Sequence, residues 1–128
     1  MGKVPDSPLG KMYEDHIKLI LAKDIDGLLE QYTKDAVLIS SFKKTPLYFR
    51  GCEELKEHFQ GILAIKNLET DIAFWAETEN TLMIVEAIKM ETDDGPATMR
   101  FADNWVLKDR KIAIHFAGMV QYPDGSLA

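Results

Sequence analysis

The stretch MRFADNWVLKDRKIAIHFAGM, residues 99–119, is typical of two β-strands joined by the turn-prone KDR. Period-two alternation along its first half gives a common apolar face to four residues: Met99, Phe101, Trp105 and Leu107. Asp103 lies on this same face, between the two aromatic residues. The pattern therefore predicts a strand pair that directs one carboxylate into an apolar interior.

Two further strands precede this pair, and helices precede the strands. Turn-bounded β-rich segments predict strands at about 68–78, 82–92, 97–108 and 111–122. Apolar periodicity and capping residues predict three helices, over about 8–22, over IDGLLEQY and over CEELKEHFQGILAI. Two strands, in DAVLISSF and LYFRG, are predicted between the second and the third helix. Because the helices come first and an antiparallel meander follows, we expect one α+β domain, residues 1–128, with a curved sheet wrapped around helices.

The charge pattern excludes several classes of partner. The net charge is −6 and the basic residues are scattered, so neither a nucleic acid nor an anionic membrane surface is an expected partner. No apolar run reaches the roughly eighteen residues of a membrane span, and the N-terminal MGKVPDSPLG lacks a signal peptide's apolar stretch, so we expect a cytoplasmic protein. Cys52 is the only cysteine, which excludes an internal disulfide and a multi-cysteine metal site.

Two histidines are predicted to share the interior with Asp103. His16 lies at the centre of the apolar stripe of the first helix, formed by Leu9, Met12, Tyr13, Leu19 and Ile20. His115 is in register with Ala113, Ala117 and Met119 on the last strand. Burial among aromatics would raise the pKa of Asp103, whereas an adjacent imidazole would oppose that shift, so the outcome depends on the distance to His16. Each residue could instead have a purely structural hydrogen bond.

Three segments resemble landmarks of the nuclear transport factor 2-like superfamily, which includes ketosteroid isomerases and SnoaL-type polyketide cyclases. They are HIKLILAKDIDGLLEQYTKDAVL, YFRGCEELKEHF and FADNWVLKDRKIAIHFAG, and the resemblance extends from about residue 9 to residue 120. It implies a cystatin-like, cone-shaped fold in which a bent antiparallel sheet and three N-terminal helices enclose a mainly apolar pocket. It also implies a homodimer.

The resemblance implies site residues one at a time. Asp103 matches the buried acid that ketosteroid isomerases keep protonated against the dienolate oxygen. Tyr32 matches a supporting tyrosine, His16 stands in place of the oxyanion-hole tyrosine, and Phe59 replaces another tyrosine. Ser40 stands where the general-base aspartate should be. A hydroxyl without a base cannot abstract a carbon-bound proton, so ketosteroid isomerase chemistry itself is not expected.

We therefore expect an acid–imidazole pair, Asp103 and His16, to catalyse proton transfer on a small, largely apolar, carbonyl-bearing metabolite. The reaction would be an isomerisation, a cyclisation or a dehydration, without a metal or other cofactor. The alternative is a non-catalytic ligand-binding or dimeric assembly domain of the same fold. The residues expected to contact the ligand are Tyr32, Ser40, Phe59, Trp105, His115 and Met119.

The outer face of the meander predicts a homodimer, because it is too apolar to remain open to water. It is expected to contain Thr98, Arg100, Asn104, Val106, Ile112, Ile114, Phe116 and Val120. Glu86 alternates with Ile84, Ile88 and Met90 on an apolar face that could also meet a partner subunit. We therefore expect Glu86 to lie at an interface or to support the site from behind.

Overall fold

The helices and strands follow one another in the predicted order. The computed structural model describes residues 4–43, 45–63 and 69–128. Within them the elements are α1 (Pro8–Leu21), α2 (Ile25–Glu30), β1 (Tyr32–Ser41), β2 (Leu47–Arg50), α3 (Gly51–Leu63), β3 (Glu69–Glu77), β4 (Thr81–Thr92), β5 (Gly95–Lys108) and β6 (Lys111–Gln121). The last two residues of the predicted third helix, 64 and 65, and the predicted start of the next strand at residue 68 lie outside the described residues.

Side chains predicted to cap the first two helices do so. The Ser7 hydroxyl accepts a hydrogen bond from the Gly10 amide at 3.0 Å, with Pro8 at the first helical position. The Asp24 carboxylate accepts one from the Gly27 amide at 2.9 Å. Each cap pairs an amide that the helix itself leaves unbonded, so both helices begin where the sequence indicates.

The six strands form one curved, unclosed sheet in the order β2-β1-β6-β5-β4-β3. Strand β1 runs parallel to β6, and the other neighbouring pairs are antiparallel. Register shifts interrupt the β5–β6 ladder between Arg100 and Phe101 and again between Val106 and Leu107. Such bulges bend a sheet, and here the bend carries β3 to β6 over the helices.

The second bulge corrects one prediction about the outer face. Ile112 was expected there, yet it is fully buried in the core. Val106 lies opposite Ile114 but Leu107 lies opposite Ile112, so Ala113 is the extra residue on β6. Because one inserted residue reverses the facing of all residues on one side of it, the simple alternation fails at this point.

The core fills the space between the three helices and the inner face of the sheet. Its largest fully buried side chains are Tyr13, Leu28, Leu38, Leu55, Phe59, Leu82, Ile84, Trp105 and Ile112. A smaller cluster of Ile88, Phe101 and Ala117 lies further along β4, β5 and β6. None of the helices in the described ranges has the length and apolar character needed to cross a membrane.

Candidate functional site

A cavity of about 610 Å³ opens between α1, α3 and the inner face of the sheet. Its apolar lining includes Ile17, Ile20, Leu21, Phe42, Phe59, Ile62, Ile88, Met99, Phe101 and Ala117. Its polar lining consists of His16, His58, Thr70, Asp71, Glu86, Lys89, Asp103 and His115. A volume of this size accommodates a small organic molecule.

Asp103 faces this cavity and is bonded to His115, not to His16. Nε2 of His115 is hydrogen-bonded to Oδ1 of Asp103, and Nδ1 of His115 is hydrogen-bonded to the Tyr32 hydroxyl at 2.7 Å. In antiparallel strands β5 and β6, Asp103 lies opposite Ala117, two residues from His115 on the same face. Asp103 is therefore paired with the imidazole of His115, and the expected pairing with His16 is wrong.

His16 has a different partner and a different electrostatic state. Its Nδ1 lies 2.9 Å from Oε1 of Gln31, and its ring stands edge-on to Trp105 with centroids 5.0 Å apart. Burial, followed in size by the effect of the nearby His115, lowers the pKa of His16 to about 4. The imidazole is consequently neutral at pH 7.

Glu86 lies in the cavity wall, which corrects the expectation that it meets a partner subunit or supports the site from behind. It is 3% exposed, and the Tyr13 hydroxyl donates to its Oε1. Burial raises the pKa of Glu86 to about 8, and the negative charge of Asp103 adds to the shift. Burial likewise raises the pKa of Tyr13, whose hydroxyl stays protonated. Glu86 is thus a buried carboxyl group in the cavity wall that keeps its proton more readily than an exposed one.

The remaining predicted residues divide into those at the cavity and those behind it. Phe59 lines the cavity with His16, Asp103 and His115. Tyr32 and Trp105 do not line it, because they are buried behind His115 and His16.

Ser40 and Met119 are also absent from the lining. Ser40 lies opposite Ala117 and Met119 opposite Phe101, and these two partners provide the lining instead.

Sequence reasoning did not identify His58 or Gln31 as parts of the site. His58 lines the cavity from α3, where its position beside Phe59 in the helical stripe was the available signal. The pKa of His58 is lowered to about 4, mainly by burial and secondly by the nearby His115. Gln31 had no signal, since it follows α2 and acts only through a contact with α1.

No group of three or more His, Cys, Asp or Glu side chains within the described ranges is arranged to hold a metal ion. The cavity wall instead contains the buried carboxyl groups of Glu86 and Asp103 and the neutral imidazole of His16, each with a hydrogen-bond partner. Such an arrangement is suited to binding and moving protons.

Solved structures share this fold at low sequence identity. A nuclear transport factor 2-like protein from Anabaena variabilis has a TM-score of 0.76 at 14% identity, covering 93% of this chain and 91% of its own. A Mycobacterium tuberculosis protein in complex with estradiol-17beta-hemisuccinate has a TM-score of 0.71 at 16% identity, covering 88% of this chain and 93% of its own. The epoxide hydrolase/cyclase-like enzyme SalBIII, which has a role in pyran ring formation in salinomycin, has a TM-score of 0.71 at 12% identity. The match covers 85% of this chain and 88% of SalBIII.

These likenesses establish the fold but not the activity. No curated protein matches the sequence. The family model described as SnoaL-like domain matches residues 13–115, which include α2, α3 and the first five strands in full. The chain therefore belongs to the SnoaL-like domain family, within the nuclear transport factor 2-like superfamily.

Proposed function

We propose that the cavity binds a small, largely apolar, carbonyl-bearing ligand and catalyses a proton transfer on it. The observation that carries this proposal is the presence of two buried carboxyl groups, Glu86 and Asp103, in the wall of a mainly apolar cavity. Two carboxyl groups whose environments differ can divide the roles of general acid and general base. Asp103 would act as the base and Glu86 as the acid.

The hydrogen bonds favour this division of roles. With His115 Nε2–H donating to Asp103, the Tyr32 hydroxyl can donate to Nδ1, and all three groups are paired. Asp103 then keeps its second oxygen for a ligand proton. Glu86 carries the proton at pH 7, because its pKa of about 8 lies above that pH. The proposal thus moves the proton that the family resemblance places on Asp103 to Glu86.

The step itself is a balanced tautomerisation. Asp103 takes a proton from the carbon next to the ligand carbonyl, and the electron pair left on carbon moves toward the carbonyl oxygen. Glu86 donates its proton to that oxygen, giving an enol. Returning a proton to a different carbon completes an isomerisation. Attack of the enol carbon on an electrophilic carbon of the same ligand gives a cyclisation, and loss of a hydroxyl from the neighbouring carbon, protonated to leave as water, gives a dehydration. The base is thus Asp103, and Ser40 at the family's base position is not required.

The open cavity supports a ligand-binding role over assembly alone, because an assembly domain needs no cavity at its centre. Two structural neighbours support the same reading: one was crystallised with a steroid ester and the other is a cyclase-like enzyme. A non-catalytic ligand-binding domain remains the second candidate, favoured by Ser40 at the position of the family's base.

Hydrogen exchange separates the two candidates. Small carbonyl compounds that raise the melting temperature would be incubated with the protein in D2O, and loss of the proton signal next to the carbonyl followed by NMR. We expect the protein to accelerate exchange of a bound compound, and Asp103→Asn and Glu86→Gln each to slow it about 10²-fold or more. Exposed Glu57→Gln is the matched control and should exchange at the wild-type rate. Binding without any exchange would establish the non-catalytic candidate.

The same fold is proposed to form a homodimer through the outer face of the sheet. Four large apolar side chains define an outer patch and are 40–55% exposed: Phe74, Met83, Val106 and Ile114. Val106 lies directly opposite Ile114 on neighbouring strands, so part of the patch is continuous. Contiguous apolar surface of this kind favours a second copy of the chain as its cover.

Sedimentation velocity at micromolar concentration should give the dimer mass. The double change Met83→Lys and Ile114→Lys should raise the dimer dissociation constant at least about tenfold, because it places charge in the interface. Leu47→Lys is the control, since Leu47 is equally exposed but lies opposite Ser40 on the inner side of the sheet. A wild-type protein that sediments as a monomer would contradict the proposal.

A further inference from the structure

We infer that the ligand presents a hydroxyl group, as an alcohol, phenol or enol, to Nε2 of His16. This inference rests on the proposed function, since it names a second polar group of the same ligand. The carbonyl of that ligand would meet Glu86, while the hydroxyl would meet His16.

Two hydrogen bonds fix which nitrogen of His16 carries the hydrogen. The Met12 carbonyl can only accept, and Nε2 of Gln31 donates to it at 3.1 Å. The amide of Gln31 is thereby oriented so that its oxygen Oε1 faces Nδ1 of His16 at 2.9 Å. An amide oxygen can only accept, so Nδ1 of His16 must be the donor. Nε2 of the neutral ring is then left with a lone pair and no hydrogen.

That lone pair belongs to a residue that lines the cavity. Nε2 of His16 has no hydrogen-bond partner within residues 4–43, 45–63 and 69–128. His16 is 3% exposed, so bulk water cannot freely satisfy an acceptor there once a ligand fills the cavity. A buried acceptor left unpaired is costly, whereas a ligand O–H placed against it is favourable.

Asp103 strengthens the preference for a donor. Its carboxylate lines the same cavity and, like Nε2 of His16, accepts hydrogen bonds, so a ligand ether or anion in contact with both residues would face two acceptors. The resemblance implied that His16 occupies the place of an oxyanion-hole tyrosine, which donates. Here the group at this position is a hydrogen-bond acceptor instead of a donor, so an oxyanion cannot bind at Nε2 of His16.

The test uses three naphthalene probes of similar size: 2-naphthol, 2-methoxynaphthalene and 2-naphthylmethylamine. Dissociation constants would be measured by calorimetry at pH 7. We expect 2-naphthol to bind at least about tenfold more tightly than the methyl ether, since the ether leaves the acceptor unpaired. Equal or tighter binding of the ether would overturn the inference, and so would tighter binding of the amine, which would indicate an ammonium ligand.

Two variants test the positioning role of Gln31. Gln31 does not line the cavity, so Gln31→Met changes no ligand contact but releases the His16 ring to take either tautomer. The naphthol preference should fall to within about threefold, while binding of the ether stays unchanged or improves. His16→Phe removes the acceptor and should abolish the preference in the same way. The exposed Gln60→Met change is the matched control and should keep the preference for 2-naphthol over the methyl ether.

Failure of this inference is distinguishable from failure of the proposed function. If the probes bind without a naphthol preference, or if Gln31→Met keeps the preference, the His16 assignment is overturned while the binding cavity stands. If none of the three probes binds, the ligand-binding cavity itself is overturned, and this inference with it.

Discussion

Replacing Asp103 with leucine is expected to lower the free energy of unfolding by about 1–3 kcal/mol. Leucine has the same number of side-chain heavy atoms in a similar branched shape but cannot accept a hydrogen bond, so the buried Nε2–H of His115 loses its partner. The other tautomer of His115, with the hydrogen on Nδ1, does not avoid the loss, because the Tyr32 hydroxyl would then have no acceptor. Urea denaturation measures this loss.

The asparagine variant separates the chemical role of Asp103 from its structural one. The amide oxygen of Asp103→Asn can still accept from His115, so the free energy of unfolding should stay within about 1 kcal/mol of the wild type. The amide cannot take a proton, so hydrogen exchange on a bound carbonyl ligand should fall about 10²–10⁴-fold.

The exposed Asp15→Leu change on α1 is the control and should alter stability by less than about 0.5 kcal/mol. A stable Asp103→Asn protein with full exchange activity would remove Asp103 from the proposed chemistry.

Local patterns predicted the helices and strands of this fold well because their signals lie within short segments. The caps at Ser7 and Asp24 and the alternation of β5 each depend on neighbours a few residues away. For the same reason the inward facing of His16 and Asp103 was predictable, since each lies on a regular apolar stripe.

The pairing between those stripes was not predictable. Whether Asp103 meets His16 or His115 depends on the β5–β6 register and on how far the sheet bends over α1. The inserted residue Ala113 leaves no mark on the alternation until the partner strand is known, and this is why Ile112 was misplaced. Register and curvature result from contacts between distant segments, which a one-dimensional pattern does not contain.

Glu86 shows the same limit at the site itself. Its alternation with Ile84 and Ile88 marked an apolar face of β4, but not whether that face is the inside of the cone or an interface. Its partner Tyr13 is 73 residues away in sequence. Only the curvature of the sheet brings the two together and makes Glu86 a candidate acid.

Glu86→Gln is expected to make the protein more stable than the wild type at alkaline pH. The pKa of Glu86 is about 8 in the folded protein and 4.5 as its ordinary value. Between these values the folded state holds a proton that the unfolded state has lost. Wild-type stability from this group is therefore fully present below pH 4.5 and falls by about 1.4 kcal/mol per pH unit until pH 8.

The glutamine variant lacks this titration and so avoids the loss. Its amide oxygen can still accept from the Tyr13 hydroxyl, so the two proteins should have similar stability near pH 5. Above pH 8 the variant should exceed the wild type by up to about 5 kcal/mol, because burying an ionised Glu86 near the Asp103 charge is unfavourable. Denaturant unfolding at pH 5, 7 and 9 measures the divergence.

The exposed Glu57→Gln change provides the control and should follow the wild-type curve at every pH. Parallel curves for wild type and Glu86→Gln would mean that Glu86 ionises in the folded protein as it does in water, and it could not then serve as a proton donor at pH 7. The proposed acid predicts the opposite combination, in which the variant gains stability at high pH and loses exchange activity at pH 7. Under the proposed function, the proton that Glu86 supplies is the reason for keeping a carboxyl group in the cavity at a cost in stability.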